Sequence, residues 1–73
     1  MQEQIKQIAE RIQGLREIFE VSQETLAAEL DVPIETYRDY EGGRADIPVS
    51  ILFKIAHRFH VEMAALLTGE EPR

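Results

Sequence analysis

The chain has 73 residues, with 8 Lys plus Arg against 14 Asp plus Glu and a formal net charge of −6. That length holds one small core at most, and the acidic balance excludes a broad polybasic nucleic-acid patch and attraction to an anionic membrane. The absence of cysteine excludes disulfides and thiolate zinc sites, so a chain that is 44% hydrophobic must be held by its apolar core, with oligomerisation as the other resource.

Residues 3–19 carry Ile5, Ile8, Ile12, Leu15 and Phe19 at steps of three and four, flanked by Ala9 and Ile18, which predicts an amphipathic helix. Its outer face reads Glu3, Lys6, Glu10, Gln13 and Glu17, a solvated charged stripe. Ser22 is a good N-cap, with acidic Glu24 in the turn that follows, and a short second helix runs to about Leu30 with Leu26, Ala27 and Leu30 inward. Asp31-Val32-Pro33 ends that helix and starts a third, because Pro suits the first helical turn and disfavours helix in the residue before it. The third helix spans about Pro33–Glu41 and stops at Gly42-Gly43, a left-handed cap and turn. After a loop over 44–47, Pro48-Val49-Ser50 opens a fourth helix with Ile51, Leu52, Ile55, Ala56 and Phe59 at helical spacing. His60-Val61-Glu62 breaks it, and a fifth short helix carries Ala64, Leu66 and Leu67 to Thr68-Gly69.

No strand pattern, repeat or low-complexity tract interrupts this series, so the expected fold is all-α, five helices in one domain over residues 1–69. Glu70-Glu71-Pro72-Arg73 reads as a linker or tail that can lead to a further C-terminal domain. No apolar run approaches the roughly 18 residues that span a bilayer, and the N-terminus lacks the basic start and apolar stretch of a signal peptide. The expected location is cytoplasmic.

Two short helices around a tight turn form a helix-turn-helix pattern. From Ile8 to Gly69 the specific marks are Leu15-Arg16, Ser22-Gln23-Glu24-Thr25-Leu26-Ala27, Asp31-Val32-Pro33, Tyr40-Glu41-Gly42-Gly43-Arg44, Pro48, Lys54-Ile55-Ala56, Val61 and Leu66-Leu67. Over about 60 of the 73 residues the chain resembles the phage-repressor and Cro-type helix-turn-helix family of bacterial transcription regulators, with its lambda-repressor-like fold. The tail from Ala64 to Arg73 also resembles the join in the subgroup where this domain precedes a ligand-binding cupin barrel.

The resemblance implies double-stranded operator DNA as partner, a homodimer, and residues 33–41 as the recognition helix in the major groove. It places Ile34, Glu35, Thr36 and Asp39 outward and Tyr37 and Tyr40 inward, with Gln23 on backbone phosphate or a nearby base. The amides at the start of the second helix and around Val49 and Ser50 become phosphate grips, since free N–H groups and the positive dipole end face the anion, with Arg38 and Arg44 the nearby cations. Arg16 and Glu41 match a family pair bridging the first helix and the end of the recognition helix.

Several residues depart from that pattern. Between Ser22 and Asp46, Arg38 and Arg44 face seven carboxylates, the wrong sign for DNA, although Glu35 or Asp39 can accept from cytosine N4 and Ile34 can pack on a thymine methyl. Two to four cationic phosphate contacts per subunit, on the order of what such a surface offers, imply weak binding alone and reliance on dimerisation or a second domain. Glu20, Asp31 and His60 stand where the family favours glycine, and Glu20 requires either a different local conformation or a cost of about 1–2 kcal/mol, so the turn before the second helix is expected to be atypical.

His57 and His60, followed by Glu62, could form a metal pair, but without a third ligand the better reading is an exposed helix residue and a C-terminal cap, with no metal or cofactor. Gly42-Gly43-Arg44 lacks the rest of a phosphate loop and is a turn. Tyr37 and Tyr40 could stack on single-stranded bases, yet their spacing fits one buried face. No nucleophile and base are arranged for catalysis, and no enzyme is expected. The reading is a sequence-specific DNA-binding domain of a transcription regulator. Its rival is an acidic protein-interaction module on the same fold, including an antitoxin-like role in which the carboxylates cover a basic partner.

Overall fold

The computed structural model describes residues 2–69, so the linker reading of 70–73 lies outside the described residues. Five helices follow in order: α1 (Gln2–Ile18), α2 (Gln23–Leu30), α3 (Ile34–Glu41), α4 (Val49–Phe59) and α5 (Met63–Thr68). α2 packs on α3, α1 lies across α3 and α5, and α4 closes the core against α2 and α5. Ile12, Leu26, Tyr37, Ile55, Phe59 and Leu66 are the large side chains fully enclosed where these helices meet. Among the described residues no helix is long and apolar enough to cross a membrane.

One device ends four of the helices. A residue in the left-handed region follows the helix, its N–H and that of the next residue bond back to the last turn, and the chain then extends into the next N-cap. After α1 the left-handed residue is Glu20 (φ +58°), with Glu20 N–H donating to the Glu17 carbonyl (3.1 Å) and Val21 N–H to that of Arg16 (2.9 Å). Asp31 and Val32 repeat the pattern after α2, as do His60 and Val61 after α4. Gly43 and Arg44 repeat it after α3.

At the first three of these ends a valine follows the left-handed residue and docks on the core, Val21 fully and Val32 and Val61 in part. Two hydrogen bonds and a buried valine hold a side-chain-bearing residue where glycine is easier. The turn before α2 is therefore not atypical: Glu20 takes the same left-handed conformation as Asp31 and His60. At Gly43 (φ +71°) there is a further demand for glycine, since a Cβ there would stand 2.9 Å from Lys6 Cγ.

Boundaries and faces differ from the periodicity in a few places. Pro33 is the N-cap of α3, extended at φ −60° and ψ 148°, and the helix starts one residue later, at Ile34. α1 ends at Ile18, so Phe19 leaves the inner helical face. It is 45% exposed and its ring sits 5.0 Å from that of Phe59. Ile18 (75%) and Leu67 (42%) are also exposed, because short helix ends present one side to the core and Leu66 already fills the place at α5.

Candidate nucleic-acid interface

α2, the turn Asp31–Pro33 and α3 form the two-helix unit, with the small Ala27 buried at 2% exposure on the inner face of α2. Ser22 caps α2: its Oγ accepts from Thr25 N–H at 3.0 Å and donates to Thr25 Oγ1 at 2.9 Å. Proline sets the start of both α3 and α4, and neither helix has a side-chain cap. In α3 the first amide bonded back to the cap is that of Tyr37, to the Pro33 carbonyl, so the amides of Ile34, Glu35 and Thr36 lie outside the helix's own bonding. In α4, Ile51 and Leu52 both donate to the Pro48 carbonyl, which leaves the Val49 and Ser50 amides in the same condition. Ser50 is exposed beside them.

A four-residue network sets the angle of this unit against α1. Arg16 Nε donates to Glu41 Oε2 at 2.6 Å and its Nη2 to Oε1 at 3.3 Å. Arg16 Nη1 donates to the Val21 carbonyl at 2.9 Å, tying in the α1–α2 turn. Gln23 Nε2 donates to Glu41 Oε1 at 2.9 Å, and the Tyr37 hydroxyl donates to Oε2. The Glu41 side chain is only 4% exposed and that of Arg16 14%.

Burial pushes the Glu41 carboxyl up, but the hydrogen bonds from Arg16, Tyr37 and Gln23 and the guanidinium charge outweigh it and hold the group below the ordinary value of 4.5. Its hydrogen bond to Glu41 raises Arg16 against an opposing effect of burial. Burial first, then the bond to Glu41, pushes the Tyr37 hydroxyl well above its ordinary 10.0.

The expected DNA-facing residues fall into distinct settings. Glu35 is exposed, with no hydrogen bond or ion pair to its carboxylate among the described residues. Thr36 is half-buried, and so is Ile34, which packs on the edge of the core instead of standing fully outward. Both cations are already partnered. Arg38 Nη2 reaches Glu24 Oε2 at 3.3 Å, while Arg44 Nε reaches Asp39 Oδ1 at 3.1 Å and its Nη2 the Arg38 carbonyl at 3.3 Å. Gln23 is half-buried against Glu41, but an amide NH2 has two hydrogens and its second remains for an outside acceptor. Tyr37 and Tyr40 are buried, which excludes base stacking. His57 and His60 are exposed, and no group of three metal-ligating side chains occurs among the described residues.

The links from Gln23 and Tyr37 to Glu41 are absent from the sequence reading. Tyr37 and Glu41 carry a signal, being one helical turn apart. Gln23 and Glu41 carry none, since their meeting depends on how α2 crosses α3. The same holds for Arg38 with Glu24.

A family model described as helix-turn-helix matches residues 12–66, whereas no curated protein and no solved structure matches the chain. The family consists of DNA-binding regulators, and the five helices form its all-α, lambda-repressor-like arrangement. On that match and this two-helix geometry, the chain belongs to the phage-repressor and Cro-type helix-turn-helix family.

Proposed function

We propose that the chain is the sequence-specific DNA-binding domain of a cytoplasmic transcription regulator. It acts as a homodimer or as the N-terminal part of a larger dimer on a two-fold operator, residues 70–73 being a tail in the first case and a linker to a C-terminal ligand-binding domain in the second. The observation that carries this reading is the proline-started α4 beside the two-helix unit, whose Val49 and Ser50 amides have no helical or side-chain partner among the described residues. Such amides bind phosphate oxygens through direct N–H bonds and the positive end of the helix dipole, without needing cationic side chains. α3 then lies in the major groove with Glu35 and Thr36 toward the bases. Ile34 supplies apolar contact, and Arg38, Asp39, Arg44, Gln23 and Ser50 line the backbone on either side.

Selection from random duplex DNA at low salt tests the reading. Enrichment of a palindrome with half-sites about one helical turn apart supports it. Binding by a folded chain that is indifferent to sequence, or absent, overturns it.

A second reading has one observation in its favour. Both arginines of the surface are held by carboxylates while Glu35 is free, so the face is acidic as it stands. An acidic face of this kind fits a basic protein partner, as in an antitoxin-like role. Failure of the selection, together with saturable binding to a basic partner that Glu35→Lys weakens, would favour it.

A further inference from the structure

Among the charged side chains of α3, all but one are paired within the described residues. Tyr37 and Tyr40 are in the core, Ile34 packs on its edge, and Glu41 is filled by Arg16, Gln23 and Tyr37. Arg38 is paired across to Glu24 on α2, and Asp39 to Arg44 beyond the helix end. Thr36 is half-buried. Glu35 alone is exposed in the first turn with a carboxylate that no described residue satisfies.

An ionised carboxylate only accepts hydrogen bonds, so against a DNA major groove it is repelled by guanine N7 and O6 and by thymine O4. Adenine offers one donor, N6, but sets the acceptor N7 beside it. Cytosine offers the N4 amino group without that neighbour. Unpaired among phosphates, a free carboxylate opposes binding everywhere else, and this repulsion sharpens the choice.

We infer, resting on the DNA-binding reading above, that Glu35 is a specificity-determining residue of α3 and selects a cytosine, hence a C·G pair, at one fixed position of each half-site. The selectivity lies in what Glu35 rejects as much as in the bond it makes. Replacing it by glutamine converts an acceptor-only group into one that donates and accepts, which matches adenine N6 and N7. Because Glu35 is exposed and unpartnered, substitution leaves the fold intact.

The test is selection from random duplex DNA with the wild-type chain, Glu35→Gln and Glu35→Ala, each checked for helicity by circular dichroism. The readout is base preference and not affinity, since removing a negative charge tightens binding to sequences without the cytosine and so shifts average affinity on its own. The expected result is a wild-type motif with one cytosine per half-site favoured roughly 5- to 150-fold over other bases. That preference passes to adenine in Glu35→Gln and disappears in Glu35→Ala. A motif that is the same in all three chains overturns the inference and leaves the DNA-binding reading standing. No motif from any of the three folded chains overturns both.

Discussion

Glu41 is the residue on which the orientation of α3 depends. It accepts from Arg16 on α1, Gln23 on α2 and Tyr37 within α3, and is almost fully enclosed. A partly buried ion pair of this kind offsets much of its own desolvation, but removing one partner strands the other, at up to about 3–5 kcal/mol. Against a total stability of roughly 5–15 kcal/mol for a small domain, that loss is large. Arg16→Met and Glu41→Met are each expected to lose up to about 3–5 kcal/mol in urea titration, and the double variant to recover part of it, since the Tyr37 hydroxyl and Gln23 still lack their acceptor. If the single variants unfold at wild-type urea concentrations, the network has no structural weight. The same group gives a pH dependence. Because Glu41 is held below its ordinary value of 4.5, its contribution is present above that pH and is lost as acid protonates it in the folded state. Tyr37, raised above its ordinary 10.0, contributes below that pH and loses its contribution as the solution becomes more alkaline. Thermal melts should show a plateau between these limits, and the fall on its acid side should be shallower in Glu41→Gln. At Glu20, the left-handed backbone lacks the short polar side chain that helps Asp31. Glu20→Gly is expected to add about 1 kcal/mol, raising Tm by about 4–8 °C by differential scanning calorimetry. A lower Tm would mean that the Glu20 side chain contributes more than its backbone strain removes.

At the scale of the element, α3 and its flanks carry their cations already neutralised. Phosphates must compete with Glu24 for Arg38 and with Asp39 for Arg44, although both pairs are exposed and individually weak. Glu24→Gln and Asp39→Asn should each strengthen DNA binding several-fold and make its salt dependence steeper, since a released arginine adds a phosphate contact. Fluorescence anisotropy across a salt series measures both, and an unchanged slope would mean that the arginines do not reach phosphate. Gln23→Ala and Arg44→Ala should weaken binding uniformly across sequences, whereas Thr36→Ala should alter preference with little change in average affinity. The Val49 and Ser50 amides of α4 are untouched by any of these changes, so residual binding by the doubly substituted Gln23→Ala, Arg44→Ala chain is their signature.

Taken as a whole, a molecule of net charge −6 must bind DNA through local contacts against an unfavourable overall field. With about two to four phosphate contacts per subunit, the slope of log K against log salt for a dimer should have a magnitude of about 4–7, and a steeper one would require cations outside α2, α3 and α4. The helices themselves were legible in the sequence because their signals are local: apolar spacing, the Ser22 cap, the prolines before α3 and α4 and the glycines after α3 act within a turn or two of the chain. The Arg16–Glu41 pairing came from the family resemblance. Local periodicity misplaced Phe19 and Leu67, since a helix end has no neighbour to bury its last residue against. The sequence by itself determined the number and order of the helices and most of the core, because hydrophobic spacing and capping are set by residues close along the chain. Only the tertiary structure decided that Glu24 holds Arg38 and that Gln23 donates to Glu41, the carboxylate on which Arg16 also closes, because those outcomes depend on how α1, α2 and α3 cross, and the paired residues lie 14 to 25 positions apart.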